Sequence, residues 1–267
     1  MTTIAKLKNL KGRQALITGA AGGIGRVIAQ TLAELGADLL LVDLPGAQYG
    51  TIVQEIKQNW GVKVWILDCD LELQGDRDRL IEAVLQQDNG LDVLVNNAAF
   101  VGASGLQGWC TDFEQQSVET WRRALEVNLT SVFDLCKGFT PLLKQSKGGS
   151  IINIASIYGL YGPDYSLYEG TEMGNPAAYA ASKGGLIQLT RWLATTLAPQ
   201  VRVNTISPGG VLRNQSKVFI DRYESRTPLG RMGVEDDFRG AIAYLSSDLS
   251  GYVTGHNLKV DGGWGIW

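Results

Sequence analysis

The segment Q-A-L-I-T-G-A-A-G-G-I-G, residues 14–25, joins a short apolar run to a glycine-rich turn. The residues that follow have the apolar spacing of a helix, over 23–35. Gly19 allows a sharp turn out of the strand, and Gly23 and Gly25 leave room for a phosphate group to approach the helix N-terminus. The segment therefore predicts a strand–turn–helix unit that binds a nucleotide.

The rest of the chain continues this alternation of short apolar runs and longer helical segments. Strands are predicted at 14–18, 38–43, 62–67, 91–96, 150–155, 201–207 and 256–261, and helices at 23–35, 49–59, 76–87, 118–144, 177–197 and 235–246. Such alternation requires crossover connections and produces a parallel sheet covered by helices on both faces. Because no linker divides the sequence, we expect one α/β domain over residues 1–267.

Composition excludes several classes of protein. The 267 residues carry a net charge of −3 and have no basic cluster, which disfavours nucleic acid and anionic membranes as partners. No apolar run is long enough for a membrane span, and the N-terminus has no apolar core typical of a signal peptide. Three cysteines without metal-ligand spacing favour free thiols in a reducing cytoplasm. His256 is the only histidine, so no His-rich metal site is expected, and we interpret it as a polar residue at a strand entrance.

Five motifs occur in a fixed order along the chain. They are T-G-A-A-G-G-I-G (18–25), N-N-A-A (96–99), V-N-L-T-S (127–131), I-I-N-I-A-S (151–156) and Y-x-x-x-K (179–183). Together they resemble the short-chain dehydrogenase/reductase family over nearly the whole length. The resemblance implies a Rossmann-like, doubly wound sheet of about seven strands and an oxidoreductase that uses a nicotinamide cofactor.

The resemblance also implies a set of cofactor-binding residues. Asp43, at the end of the second strand, can accept both ribose hydroxyls of the adenosine half and would repel a 2′-phosphate, so NAD is the expected cofactor. Asp70 is expected beside the adenine, with Asp68 as the alternative in register. Ala99 stands where the family has glycine. The full predicted set is Gly19, Gly22, Gly23, Ile24, Gly25, Asp43, Leu44, Asp70, Leu71, Asn97, Ala98, Tyr179, Lys183, Pro208, Gly209 and Val211.

The family's catalytic group is Asn-Ser-Tyr-Lys, and each member has a counterpart here. Tyr179 would exchange a proton with the substrate oxygen, and Lys183, one helical turn on, would lower its pKa and hold the nicotinamide ribose. Ser156 would orient the reacting oxygen. Asn128 would hold a water that links Lys183 to solvent.

Two departures from the family pattern bear on the substrate. A long insert, part of a predicted loop at about 157–176, separates Ser156 from Tyr179, and its tyrosines, Tyr158 among them, either contact a polyhydroxylated ligand or pack on each other as a lid. Arg213, in a second predicted loop at about 210–232, replaces a small residue and could bind an anionic group of the substrate. An ion pair with Glu169 or Glu172 is the rival interpretation. The insert, together with R-N-Q (213–215), R-T-P-L-G-R-M (226–232) and V-D-G-G-W (260–264), is similar to short-chain oxidoreductases encoded with bacterial surface-sugar genes.

These observations predict an NAD-dependent dehydrogenase or ketoreductase acting on a sugar-like or carboxylated secondary alcohol. Two alternatives remain: a non-catalytic NAD-binding protein, and a dehydratase or epimerase of the extended branch. Family members pair through the helices predicted at 118–144 and 177–197 and through the last strand, so we expect a homotetramer or homodimer. The tail residues Trp264, Ile266 and Trp267 would add exposed apolar surface to that interface.

Overall fold

The computed structural model describes residues 2–87, 89–102 and 106–267, which form one parallel sheet between two layers of helices. The strands are β1 (Gln14–Thr18), β2 (Asp38–Asp43), β3 (Val64–Asp68), β4 (Val93–Asn96), β5 (Gly149–Ile154), β6 (Val201–Pro208) and β7 (Asn257–Val260). Their order is β3-β2-β1-β4-β5-β6-β7, and every pairing is parallel. The predicted α/β, Rossmann-like fold is confirmed.

Helices connect the strands and cover both faces of the sheet. They are α1 (Ile4–Leu7), α2 (Gly23–Glu34), α3 (Ile52–Trp60), α4 (Gln74–Leu85), α5 (Val118–Leu125), α6 (Ser131–Gln145), α7 (Ala177–Leu197), α8 (Lys217–Arg226) and α9 (Arg239–Ser246). Helices α2, α3 and α9 pack on one face, and α4, α6 and α7 pack on the other. Successive residues of β2 alternate between the two cores, as the pleat requires.

Three helical predictions need correction. The helix predicted over 118–144 is interrupted by a π-helical turn, Glu126–Thr130, between α5 and α6. The loop predicted over 210–232 contains α8, whose first turn is capped by the Ser216 side chain. The segment predicted as a helix over 235–246 begins as a 3₁₀ turn, Glu235–Phe238, before α9. Local apolar spacing predicts where helices lie. It does not reveal a change of helix type or a short capped helix.

A chain of buried polar side chains ties the strands at the centre of the sheet to α7. The Asn96 amide donates to Asn153 over 2.8 Å, and Asn153 donates to Thr190 of α7 over 2.8 Å. Thr205 of β6 bonds to the same Thr190 hydroxyl at 2.8 Å. Because buried hydrogen bonds of this kind are costly to leave unmade, they hold α7 in register with β4, β5 and β6.

The order of the strands places a crevice at their carboxyl ends. The chain runs outward from β1 to β3 and then returns to place β4 on the other side of β1. Ligands bind at such a point of reversal in open α/β sheets. No helix in the described part of the chain is long and apolar enough to cross a membrane.

Candidate active site

A cleft of about 690 Å³ lies at this crevice, along the carboxyl ends of the strands. Every residue predicted to contact the cofactor lines it, from Gly19 to Val211, and so do Ser156 and Arg213. Two predicted site residues, Asn128 and Tyr158, are not part of its lining. The structure thus brings together side chains that are up to about two hundred positions apart in sequence.

The turn after β1 is locked against the end of β4. Gly19 has a φ of +64°, and a Cβ there would lie 2.8 Å from the Cα of Ala98 and 2.9 Å from Nδ2 of Asn97. That Nδ2 donates to the carbonyls of Thr18 and Gly19, at 3.0 Å each. Only glycine fits this turn, because a side chain would both strain the backbone and strike Ala98.

The N-terminus of α2 is shaped to receive an anion. Helix α2 begins at Gly23, after an N-cap, Gly22, that supplies no side-chain cap, so its first N–H groups have no side-chain acceptor there. A Cβ on Gly25 would lie 2.0 Å from the Gly19 carbonyl oxygen, so the turn closes only around glycine. An open cradle of backbone N–H groups at a positive helix end fits the diphosphate of a dinucleotide.

Asp43 is oriented by backbone donors beside this cradle. Its Oδ2 accepts from the Ala21 N–H at 2.8 Å, and its Oδ1 accepts from the Leu44 N–H at 2.9 Å. The structure also reveals a cation that we had not expected at this place: Arg26, whose Nε donates to the Ala21 carbonyl and whose Nη2 donates to that of Gln48. Arg26 comes directly after the glycine motif, but only the folded turn shows that it reaches back to Ala21.

The adenine end of the cleft distinguishes the two candidate aspartates. Asp70 lines the cleft, and its Oδ1 accepts from the Glu72 N–H at 3.0 Å. Asp68 is exposed at the end of β3, outside the lining. The geometry therefore favours Asp70, the first of the two alternatives.

Helix α7 carries Tyr179 and Lys183 one turn apart into the centre of the cleft. Lys183 Nζ lies 5.7 Å from the centroid of the Tyr179 ring and donates to the Ile154 carbonyl over 2.8 Å. The side chain is only 2% exposed. Burial lowers the pKa of Lys183 to about 8, since water no longer stabilises the charged form.

The pKa of Tyr179 differs from the sequence-based expectation. Burial raises it, a hydrogen bond with Ser156 opposes that rise, and the nearby Tyr158 adds to it. The lysine was expected to lower this pKa; its Nζ lies 5.7 Å from the centroid of the Tyr179 ring and donates to the Ile154 carbonyl. Tyr179 is therefore held in its protonated form at neutral pH, as a proton donor.

Asn128 lies in the π-helical turn and bonds to protein groups. Its Oδ1 accepts from the Phe100 N–H at 2.6 Å, and its Nδ2 donates to the Phe100 carbonyl at 3.2 Å and to Ser182 Oγ at 3.0 Å. The side chain thus anchors the segment after β4 to α7. Its predicted role in holding a water stays a prediction. Turns of π-helix are frequent at functional sites.

The insert after Ser156 packs mainly on itself, on α8 and on the C-terminal tail. The Tyr158 N–H donates to Ser156 Oγ at 3.2 Å, and its hydroxyl bonds to that of Tyr168. Tyr161 donates to the Gly265 carbonyl at 2.7 Å. The shared apolar cluster consists of Ile157, Leu167, Phe219, Tyr223, Met232 and Trp264. Of the two interpretations of these tyrosines, this packing supports a lid stabilised by its own aromatic residues.

Arg213 has a partner that the sequence did not suggest. Its Nε lies 3.3 Å from Oε1 of Glu235, whereas the rival interpretation had named Glu169 or Glu172 as the carboxylate. This carboxylate comes from the 3₁₀ turn Glu235–Phe238 and not from the insert, because that turn follows a segment bridged to the one after β6. Trp264 also needs correction, since it is buried in the insert cluster and adds no exposed surface.

The sequence did not point to several other residues of the cleft. Phe100, Glu72 and Arg123 all line it. Arg123 Nε lies 2.7 Å from Glu72, and its guanidinium stacks 5.0 Å from the Phe100 ring centroid. Glu72 and Arg123 are distant in sequence and belong to no motif, so no local signal could have found the pair.

Comparison with known proteins identifies the class. A family model described as "Enoyl-(Acyl carrier protein) reductase" matches residues 19–265. A 3-oxoacyl-acyl-carrier-protein reductase of Thermotoga maritima is 33% identical, covering 95% of this chain and 98% of that protein. Trans-4-hydroxycyclohexanecarboxylate dehydrogenase of Sinomonas cyclohexanicum is 34% identical, over 93% and 91%. The chain belongs to the short-chain dehydrogenase/reductase family.

Solved structures agree with that assignment. A short-chain dehydrogenase from Leptospira borgpetersenii with bound NAD+ has a TM-score of 0.82 and 31% identity, over 99% of this chain and 96% of that one. A putative NAD(P)-dependent gluconate 5-dehydrogenase from Beutenbergia cavernae, with bound NADP, has the same score and identity over 97% and 99%. The chain is an oxidoreductase of alcohol or ketone groups, and its fold binds a nicotinamide cofactor.

Proposed function

We propose that the protein interconverts a secondary alcohol and a ketone with NAD as its cofactor, on a polar substrate that is sugar-like or carboxylated. When bound, the nicotinamide supplies or accepts the hydride. Tyr179 donates the proton to the carbonyl oxygen in reduction and accepts it in oxidation. Ser156 orients that oxygen, and Lys183 holds the nicotinamide ribose.

The choice of NAD depends on Asp43. Both of its oxygens are fixed by backbone N–H groups beside the glycine turn, where the adenosine ribose is expected. A carboxylate there favours ribose hydroxyls and opposes a 2′-phosphate. Arg26 is a cation near the same place and would attract a 2′-phosphate. Two of its nitrogen atoms, however, already donate hydrogen bonds to backbone carbonyls.

The polar substrate is supported by the walls of the cleft and by the relatives. Ser156 lines the cleft and places its hydroxyl group next to that of Tyr179. Two of the similar proteins are described as acting on gluconate or on a hydroxycyclohexanecarboxylate, both of them carboxylated secondary alcohols. A surface-sugar intermediate is one form of this proposal.

A cytoplasmic location is also proposed, since Cys69, Cys110 and Cys136 are free thiols.

The test is a substrate panel. Sugars, sugar acids, hydroxy acids and the matching keto compounds are assayed with NAD+ or NADH, and nicotinamide absorbance is followed. We expect turnover with carboxylated or polyhydroxylated secondary alcohols. Turnover only with apolar alcohols, or only with NADP(H), would contradict the proposed substrate or cofactor respectively.

A further inference from the structure

Arg213 and Glu235 meet directly above the glycine turn. A Cβ on Gly23, the first residue of α2, would lie 2.6 Å from Glu235 Oε1 and 2.9 Å from Arg213 Nη2. Both side chains therefore lie at the end of the cleft where α2 begins. Gly23 is the residue at which a diphosphate would approach the helix.

The backbone segments that carry these two side chains lie side by side. Val211 and Gly233 form a parallel bridge, in which the Leu212 N–H donates to the Gly233 carbonyl at 2.8 Å. Arg213 and Glu235 each lie two residues further along these paired segments. The bridge brings the two segments together, and Arg213 Nε lies 3.3 Å from Glu235 Oε1 where the 3₁₀ turn begins.

The neighbouring acidic residues do not compete for Arg213. Asp237 accepts two hydrogen bonds from Arg231, each at 2.7 Å, and Asp236 faces Arg239. Glu235 is thus the carboxylate available to Arg213 in this turn. Arg213 engages it through a single contact of 3.3 Å, and its side chain is 55% exposed, so the pair is weak and exchangeable.

A bound diphosphate would change the ion pair between Arg213 and Glu235, because it brings a second negative charge to the same place. A carboxylate at a helix N-terminus is favourable by itself, but it repels a second anion placed against the same N–H groups. The guanidinium has further N–H donors in a planar fork that suits a phosphate. Cofactor binding therefore either displaces Glu235 from Arg213 or leaves two anions side by side.

We propose that Arg213 and Glu235 form a latch over the diphosphate site. In the free protein Glu235 holds Arg213 across the glycine turn, and the cofactor's diphosphate replaces Glu235 as the partner of Arg213. This inference rests on the proposed dinucleotide-dependent function, and it assigns Arg213 to the cofactor, not to an anionic substrate.

Ligand binding without turnover tests the latch. Calorimetry measures the affinity of NADH, of ADP-ribose, which contains the diphosphate but no nicotinamide, and of adenosine, which has no phosphate. Arg213→Ala should weaken NADH and ADP-ribose by about tenfold or more and leave adenosine within about twofold. Lys217→Ala, which removes an exposed cation of the same region, is the matched control and should change none of the three.

The substitution Glu235→Gln should have the opposite effect on the affinity for ADP-ribose. Because it removes the competing carboxylate and keeps the shape, it should tighten ADP-ribose binding by about threefold or more. If the ion pair is purely structural, Glu235→Gln will bind ADP-ribose as weakly as the wild type or more weakly, and that result would overturn the latch. Wild-type affinity for ADP-ribose in Arg213→Ala would also overturn it. If Arg213→Ala fails to fold, Glu235→Gln decides alone. Wild-type protein that binds neither NADH nor ADP-ribose would instead refute the proposed function itself.

Discussion

Lys183 is a buried cation, and its effect on the free energy of unfolding follows from its pKa. That pKa is about 8, against 10.5 for a free lysine. Below pH 8 both folded and unfolded chains hold the proton. Between about 8 and 10.5 the unfolded chain retains it while the folded chain releases it, so the free energy of unfolding rises with pH.

Lys183→Met should therefore be more stable than the wild type at pH 7, by at most about 3 kcal/mol, and inactive. The loss of the bond to Ile154 reduces this gain. Thermal unfolding of both proteins from pH 6 to 10 measures it. The difference in Tm should shrink as pH rises through 8, and a constant difference would show that the lysine is not destabilising through its charge.

Tyr179→Phe should abolish turnover, by about a hundredfold or more, because it removes the proton donor. NADH affinity should stay within about threefold, since the ring remains and only the hydroxyl is lost. Tyr165→Phe, at an exposed tyrosine of the insert, is the control. Steady-state rates with any substrate from the panel, together with NADH titration, provide the measurement. Substantial activity in Tyr179→Phe would remove Tyr179 from the catalytic role.

Asp43→Ala should lower the ratio of kcat/KM for NAD to that for NADP by about tenfold or more. The physical reason is twofold: the ribose hydroxyls lose an acceptor, and Arg26 no longer has a carboxylate beside it to offset its attraction for a 2′-phosphate. Asp68→Ala, at the neighbouring strand end, should leave the ratio unchanged. An unchanged ratio in Asp43→Ala would mean that another residue selects the cofactor.

At the scale of elements, the position of Ser156 relative to Tyr179 depends on a close contact between the insert and α7. A Cβ on Gly159 would lie 2.7 Å from the backbone carbonyl carbon and oxygen of Lys183. A side chain there would push the turn that follows Ser156 away from the helix that carries Tyr179. No rotation of a side chain can relieve the clash, since the atoms struck belong to the backbone.

Gly159→Ala should lower kcat by about tenfold or more and reduce Tm by several degrees, with a smaller effect on NADH affinity. Gly162→Ala, in the same insert, is the control, because a Cβ there meets no atom of the described chain within 4 Å. Activity assays and thermal unfolding of both variants decide the matter. Equal behaviour of the two would show that the insert adjusts to the added methyl group.

At the scale of the whole molecule, apolar surface on α5, α7 and the tail predicts self-association. Trp121, Trp192, Ile266 and Trp267 are exposed, the last by 73%. We expect a homotetramer or homodimer, with a multiple of the 28.9 kDa chain mass in light scattering at micromolar concentration. Trp192→Glu should shift the mass downward, and Tyr252→Glu, at a fully exposed position, should not. A monomeric wild type would refute the prediction.

The sequence by itself determined the fold and the predicted cofactor-binding residues of the cleft. Strand–helix alternation and the glycine turn depend on neighbours in sequence, so the parallel sheet followed from periodicity, and the cofactor-binding residues from Gly19 to Val211 followed from the family resemblance that the motifs carry. The π-helical turn at Asn128 did not, because it is a small change of hydrogen bonding that leaves apolar spacing almost intact. Helix α8 did not, because it buries only Phe219 and Tyr223 and so shows little apolar periodicity.

Only the tertiary structure decided which charged groups of the site contact each other and how their pKa values shift. The partner of Arg213, the approach of Arg26 to Ala21, the Glu72–Arg123 pair and the direction of the Tyr179 pKa all depend on contacts made through space. A sequence states which residues can ionise, but the electrostatic energy of each depends on its depth in the protein and on its distance to other charges. Both quantities exist only once the chain has folded.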